Sequence, residues 1–524
     1  MHMERISIEY TVKVFDIGAG LPVVVLNDNE ARQRDLYLGD RVELTYKGKK
    51  MTAIVDISPK LVREGELGVF IEIVDKLKCG QGDRISMMPL NKPASIEYIR
   101  RKLDGGELRQ NEISEIIDDV MNDRLSDAEL AVFVAAVYAR GLNSEETVAL
   151  THAIMNSGEV LDFGAHPVID KHCIGGVAGN RTTMVVVPIL AAAGAYVPKT
   201  SSRAITSAAG TADTMEVLCP VNFSSEELKR IVLKTHGCIV WGGGVHLAPA
   251  DDKLIRIRYP FRLDPRGMLL ASIMAKKRAV GTEYLAVDIP VGRGTKLEDP
   301  ARGRELAKDF IDISSRLGMK CQVFVTDGSD PIGFGVGPAL ECRDVLEVLQ
   351  GKGPQDLYNK SCLIAGSLLE LAGLVQKGEG YNAAQGIIKS GKAFEKMREI
   401  VEAQGGSRSL RVDDLPIGKY KAEFLCEEDG RVEYVCNKKV SRIARAAGSP
   451  KSKGAGVVLK CEQGDRVKKG QVLLEIYSDS EAKLDYALKV AHEIQPIELQ
   501  NILLGTYGRE QSNGGASDAP LLSV

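Results

Sequence analysis

Between Asp170 and Asp213 the chain repeats, at short intervals, the residue types that hold an anion. It reads Asp170-Lys171-His172-Cys173-Ile174-Gly175-Gly176, then Asn180-Arg181-Thr182-Thr183, then Lys199-Thr200-Ser201-Ser202-Arg203, and closes on Ala209-Gly210-Thr211-Ala212-Asp213. Glycines let backbone N–H groups approach an anion closely, and an amide nest with hydroxyls and a lysine can hold a dianion. The apolar run over 184–193 places a helix N-terminus after the first turn, and its dipole favours negative charge. One Gly-rich loop can equally be a plain strand-to-helix turn. Two in tandem, with Lys171, Thr183, Ser201 and Thr211 beside them, point to a phosphate site. It is not a P-loop, because no Gly-Lys-Ser/Thr closes it.

Such turns need strands before them and helices after them. From 167 to about 337, short apolar runs at 185–190, 237–241, 284–289 and 321–326 read as strands, alternating with helical stretches at 224–233, 299–317 and 338–349. Asp299 and Pro300 make a good cap and first-position pair for the second of these helices. This alternation implies an α/β sheet flanked by helices, with ligands at the strand C-termini. Upstream, the pattern over 95–162 is helical: Ser126 with Glu129 and Asn143 with Glu146 form capping boxes, and Gly141 stops the helix over 130–140. Residues 1–88 alternate apolar and polar positions, with Gly-Asp turns at Gly39 and Gly82, which predicts a small β-barrel-like domain. From about 415 the chain is β-rich again, and 464–473 resembles the hairpin of barrel-sandwich domains, without a lysine placed for a carrier role. The expected protein is therefore multidomain α/β. It has an N-terminal β domain (1–88), a helical lobe (89–162 with part of 250–282) and an α/β domain (163–414). A C-terminal α+β, barrel-sandwich-like domain (415–505) and a disordered tail (506–524) follow.

Composition limits the function classes. The 524 residues exceed what one core organises. A net charge of −3 argues against a nucleic-acid binder, so any phosphate is held by local groups. Ten cysteines occur without a Cys-x-x-Cys pair, which indicates neither a zinc ribbon nor a redox motif and fits a reducing, cytoplasmic setting. No run of eighteen apolar residues is present, so no membrane span is expected.

The tracts Asp170-Lys171-His172, Gly175-Gly176-Val177, Pro198-Lys199-Thr200-Ser201-Ser202-Arg203 and Gly210-Thr211 resemble the signature of the thymidine/pyrimidine nucleoside phosphorylases. Leu247-Ala248-Pro249-Ala250-Asp251-Asp252 and Ala271-Ser272-Ile273-Met274-Ala275-Lys276-Lys277 extend the likeness, which runs from about residue 95 to about residue 500. The tract over 200–207 and Leu263-Asp264-Pro265-Arg266-Gly267 resemble the archaeal AMP phosphorylase branch. Members of that branch phosphorolyse nucleoside monophosphates to a base and ribose 1,5-bisphosphate.

The resemblance implies a helical lobe and an α/β lobe around a cleft, and it implies roles residue by residue. Lys171, Thr183, Ser201 and Thr211 match orthophosphate ligands, and His172 matches a histidine facing the nucleoside. Gly176, Ser202, Arg203, Ala204, Ile205, Thr206, Ser207 and Thr211 fall among substrate-binding positions. Ser272 and Lys276 match a base-reading pair. Arg258 lies nearest a third base contact, although Arg256-Ile257-Arg258 equally suits a solvated face. Lys296, on the turn Gly292-Arg293-Gly294-Thr295-Lys296, matches a nucleotide-contacting lysine. Asp264 matches the acid that protonates the departing base, which near neutral pH requires burial to raise its pKa; from the residues alone it is a turn Asp before Pro265. Cys173 departs from the pattern, standing where the family has a phosphate-binding serine, and a thiol is a weak donor.

Phosphorolysis requires a phosphate oxygen to attack C1′ while the base leaves protonated. The nucleophile is also the counter-charge, so no metal or cofactor is expected and orthophosphate is a co-substrate. AMP is the expected nucleotide, with CMP and UMP as further candidates, and thymidine or uridine phosphorolysis is the alternative. Phosphoribosyl transfer of the anthranilate type would need diphosphate and Mg²⁺, for which no acidic pair stands out. A pure scaffold role is suggested only by residues 1–88. By resemblance the chain forms a homodimer through the helical lobe and a higher homo-oligomer through residues 1–88.

Overall fold

Alternation along the N-terminal residues closes a barrel. The computed structural model describes residues 7–204, 207–261 and 263–500. Strands β1 (Ile8–Val14), β2 (Val23–Asn27), β3 (Arg41–Tyr46), β4 (Lys49–Ser58), β5 (Glu66–Val69) and β6 (Arg84–Leu90) close in the order β1-β5-β2-β4-β3-β6. The pairs β1–β5 and β2–β4 are parallel. Successive side chains of a strand point to opposite faces, so Tyr10 and Val12 on β1 and Leu44 on β3 fill the interior, joined by Ile73 and Leu77 of the short helix α2 (Ile71–Leu77). Helix α1 (Asp28–Gln33) follows β2, capped by Asn27.

The same unit continues into helices α3 (Ser95–Leu103), α4 (Gln110–Met121), α5 (Asp127–Arg140) and α6 (Ser144–Asn156). Both expected capping boxes form. The Ser126 hydroxyl accepts from the Glu129 amide at 3.3 Å and the Glu129 carboxylate from the Ser126 amide at 2.8 Å. Asn143 and Glu146 do the same at 2.8 and 3.0 Å. Gly141 ends α5 at φ 71°. Buried Lys102 donates to Glu146 at 2.7 Å, so this cap also neutralises a core lysine.

The second unit, Asp162–Val245 with the chain from Thr282 onward, begins with β7 (Ile169–Cys173), α7 (Thr182–Ala192), β8 (Val197–Ser201), α8 (Thr211–Met215), α9 (Ser225–Thr235) and β9 (Gly237–Trp241). The chain then returns to the first unit as α10 (Pro249–Arg258) and α11 (Arg266–Ala279). Back in the second unit it forms β10 (Tyr284–Val291), α12 (Pro300–Arg316), β11 (Lys320–Asp327), β12 (Gly335–Val336) and helices α13 (Pro338–Leu349), α14 (Gln355–Leu371), α15 (Gly380–Lys389) and α16 (Lys392–Ala403). Strands β11, β10 and β7 pair in parallel, as do β8 and β9. A bridge between Val168 and Tyr196 joins the two sets, giving the order β11-β10-β7-β8-β9. The chain order reverses between β10 and β7, and in parallel α/β sheets ligands bind outside the strand C-termini at such a switch point.

The segment 185–190, expected as a strand, is a correction: it lies inside α7. Every residue from Thr182 to Ala191 is buried, and a helix apolar on all sides has no 3.6-residue period to set it apart from a buried strand.

The C-terminal part of this unit holds β13 (Tyr420–Leu425), β14 (Gly430–Val435), α17 (Asn437–Ala447), β15 (Gly456–Leu459), β16 (Arg466–Val467), β17 (Val472–Ser478), α18 (Glu481–Ile494) and β18 (Ile497–Leu499). One sheet runs β12-β15-β17-β13 and the other β16-β14-β18. The expected hairpin over 464–473 is therefore two strands that enter different sheets. The tail expected to be disordered, 506–524, lies outside the described residues. Among the described residues no helix is long and apolar enough to cross a membrane.

Candidate active site

Loop 174–181 leaves the C-terminal end of β7 at the switch point. Gly175 and Gly176 take φ of 84° and 100°, which suits glycine. A Cβ on Gly176 would lie 2.8 Å from the Lys296 amide nitrogen, and one on Gly175 would lie 3.8 Å from the Lys296 Nζ. The loops after β7 and β10 thus touch, and the exposed Lys296 lies over the two glycines. Thr295 closes the Lys296 turn by donating to Gly292 O at 2.8 Å.

Lys171 is 1% exposed on β7, beside Asp288 of β10. Its Nζ stands 3.9 Å from Asp288 Oδ2, whereas Lys360 of α14 reaches the same oxygen at 3.0 Å. Thr326 donates to Asp288 Oδ1 at 2.7 Å and accepts from Lys360 at 3.0 Å. Burial pushes the Asp288 carboxyl up, but Lys171 and Lys360 outweigh it and hold it below its ordinary value. Two lysines around one carboxylate leave an excess positive charge. Lys199 is settled differently, donating to Lys171 O at 2.7 Å and standing 3.2 Å from Asp170.

The hydroxyl residues flank this point. Thr183 is the second residue of α7, preceded by Thr182, whose hydroxyl donates to Asn180 at 2.6 Å. Ser201 ends β8 and Thr211 opens α8. The Asp213 carboxylate accepts from the Ala204 and Gly210 amides at 2.7 and 2.9 Å, folding the loop that carries Ser202, Arg203, Ala204 and Ser207. Arg203 points into an acidic pair: it donates to Glu216 at 2.8 and 2.5 Å and to Asp213 at 3.2 Å, and it stacks on Trp241. Arg203, expected among the substrate-binding positions, thus has three of its guanidinium contacts on these acidic side chains. Ile205 and Thr206 lie outside the described residues. His172, half-buried, falls between Lys171 and Cys173 on β7, so strand alternation turns it to the opposite face. The Cys173 sulfur accepts from the Gly175 amide at 3.4 Å and from Asn180 at 3.6 Å. Burial, then Asp288, pushes this thiol up. Cys173 shapes the turn.

The residues expected to read the base sit in the first unit and gather on one carboxylate. Ser272 and Lys276, one turn apart on α11, both donate to Asp251 Oδ2 at 2.6 Å. Arg258, on α10 with Asp251, stands 3.9 Å from Asp251 and donates to Asp264 at 3.3 Å. Arg258 is buried, which removes the solvated-face alternative; Arg256 is the exposed member and pairs with Asp127 at 3.0 Å. Asp264 departs from expectation. Its side chain is 52% exposed, so this unit does not provide the desolvation that proton donation was expected to need, because the turn before Pro265 sits at the surface.

Three family models match: the glycosyl transferase family helical bundle domain over 96–158, its a/b domain over 165–259, and the pyrimidine nucleoside phosphorylase C-terminal domain over 431–498. The AMP phosphorylase of Methanothrix thermoacetophila is 45% identical over 508 residues, covering 96% of this chain and 99% of that protein. That of Thermococcus kodakarensis is 43% identical, covering 95% and 99%, and AMP phosphorylase 1 of Archaeoglobus fulgidus 43%, covering 94% and 97%. The chain belongs to the AMP phosphorylase family. Among solved structures, the anthranilate phosphoribosyltransferase of Thermus thermophilus shares the fold alone, with TM-score 0.52 and 19% identity over 59% of this chain and 99% of that one.

Within this chain the sequence motifs singled out residues that contact or border these clusters and missed several that hold them. Asp288 and Lys360 carry no motif. Asp251 lies inside a tract read only for resemblance. Among the described residues no cluster of His, Cys, Asp or Glu fit for a metal is present.

Proposed function

We propose that the chain cleaves AMP with orthophosphate, releasing adenine and ribose 1,5-bisphosphate. A phosphate oxygen forms a bond to C1′ as the glycosidic C–N bond breaks, and that electron pair departs with the base, which takes a proton. The observation that carries this reading is the pair of cations at one switch point: Lys171 buried beside an incompletely matched carboxylate, and Lys296 over Gly175 and Gly176. Two phosphates, the nucleophile and the substrate's 5′-phosphate, give both lysines a partner. The names of full-length relatives at 43–45% identity support the same reading.

Lys171, Thr183, Ser201 and Thr211 hold orthophosphate, and Lys296 the 5′-phosphate, with Gly176, Ser202, Ala204 and Ser207 lending backbone or hydroxyl groups. Ser272 and Lys276 meet the base edge, with CMP and UMP as further candidate substrates, and Asp264, half-exposed here, supplies the proton once bound nucleotide shields it from water. No step draws on a cofactor, so EDTA leaves the rate unchanged. The protein works in the cytoplasm as a homodimer through the helical lobe, a reading supported by exposed Val132 and Tyr138 on α5, with larger assembly through exposed Tyr37, Leu38 and Leu61 of the barrel. Sedimentation of a chain lacking 1–88 tests the assembly, which an unchanged subunit count would exclude. The decisive assay offers orthophosphate with AMP, adenosine, thymidine or uridine and follows free base. Adenine from AMP and not from adenosine is expected; release from thymidine or uridine alone would transfer the chain to nucleoside cleavage.

A further inference from the structure

We infer that the C-terminal domain is part of the phosphate-binding apparatus, and that Asn437 is the residue that positions the loop after β7. Four loops rise from the C-terminal edge of the parallel sheet, and the stretch from β14 to just past α17 holds all four. Asn437, the first residue of α17 and 2% exposed, accepts from the Ala178 amide through Oδ1 at 2.8 Å. Its Nδ2 donates to Gly328 O and Ser329 O, both at 2.9 Å. Flipping the amide would set its oxygen against two carbonyls, so its orientation is fixed. Ala178 O in turn accepts from Ile332 at 3.0 Å, and Gly179 lets the loop backbone pack on Ile332 O.

The other loops are held from the same stretch. Tyr434 donates to Arg293 O at 3.2 Å, its ring lies 4.1 Å from the Arg293 guanidinium, and Gly294 makes room for its hydroxyl. This fixes the turn that carries Lys296. Arg445 donates to Ser207 O at 3.1 Å, and Lys453 pairs with Glu216 at 2.6 Å, which fixes the loop after β8.

The physical reason is entropy. A loop with Gly175, Gly176 and Gly179 samples many backbone states, and gathering its amides around an anion costs more the freer it is. Ordering the loop beforehand removes that cost from binding. The inference rests on reading these loops as phosphate loops. It does not require that Asn437 touch any ligand.

Two variants in the full chain test it, Asn437→Ala and Asn437→Asp. The second keeps size and the Ala178 contact but faces two carbonyls with a carboxylate. Both are expected to raise the KM for orthophosphate about tenfold, leave that for AMP within about twofold, and speed amide exchange over 175–180. A purely structural role would lower the Tm while leaving both KM values and that exchange unchanged, and would overturn the inference. Should neither variant fold, Tyr434→Phe removes one hydroxyl. It is expected to raise the KM for AMP and speed exchange over 292–297, and no change in either would overturn the clamp. If the native chain releases no base from AMP, the functional reading fails by itself; exchange over 175–180, with and without orthophosphate, still decides the clamp.

Discussion

The two units treat buried charge in opposite ways. Around Asp288 two lysines share one carboxylate, on strands and a helix closed to solvent. Around Asp251 a serine, a lysine and an arginine converge on one carboxylate, with Asp252 and Asp264 adjacent. The first set has positive charge to spare and Lys171 is its least engaged member. The second has none to spare, because two cations face three acidic side chains. A site that lacks negative charge gains most from a phosphate. A site whose donors are already paired with a carboxylate offers hydrogen bonds to a neutral base by exchange, and the exchange sets selectivity more than affinity.

Removing the least engaged cation should therefore do the most damage. Lys171→Met is expected to lower kcat/KM for AMP cleavage by a hundred- to a thousandfold, roughly the loss seen when one charge-stabilising donor is removed. It should also abolish thermal stabilisation by orthophosphate; retained stabilisation would place the anion elsewhere. Asp288→Asn strikes the same cluster from the other side. Two buried lysines then lack a carboxylate, a type of defect that costs about 3–5 kcal/mol in a buried pair. Asp288 has its folded pKa below the ordinary 3.8, so its stabilisation is present above that value and lost as pH falls through the lower one. Urea midpoints should show a variant that is weaker near neutrality and converges on the native chain in acid. Parallel curves would mean that the lysines are neutralised in some other way.

How much of this was legible depended on whether a residue's partners are near in sequence. The helix α13 and the strand β9 match the expected bounds, since an N1 proline opens the first and a glycine and an apolar run mark the second. Two of the strands that carry the site were not legible as strands, whereas β10 and β11 were. β7 reads Ile-Asp-Lys-His-Cys and β8 reads Val-Pro-Lys-Thr-Ser, because chemistry has replaced the apolar pattern that betrays a strand. Lys171, Ser201 and Thr211 stood out by type and spacing. Asn437 was not: it meets Ala178 across 259 positions, and no local pattern encodes that contact.

The Asp251 cluster, proposed to read the base, can be loosened with less effect. Asp251→Asn keeps the shape but removes the charge that orients Lys276 and Ser272. A rise of about tenfold in the KM for AMP is expected, with orthophosphate unaffected. If both constants moved together, the division of labour between the two clusters would be wrong.

The smallest effect isolates what two lysines do for a buried acid. Asp344, as deeply buried as Asp288, accepts from the Phe334 and Gly335 amides at 2.7 Å each through Oδ2, while its Oδ1 has no hydrogen bond and only Arg343 at 3.8 Å. Burial pushes it up to about 7, the opposite direction from Asp288. A raised acid holds its proton in the folded state while the unfolded chain has lost it, so stability falls as pH climbs from 3.8 towards about 7 and then levels. Asp344→Asn retains an oxygen for both amides and cannot ionise. It should match the native chain at about pH 4 and be the more stable at about pH 8. Urea midpoints at the two pH values measure this. A variant weaker at both would show that Asp344 is ionised and satisfied in the fold, and that burial without a lysine does not suffice to separate it from Asp288.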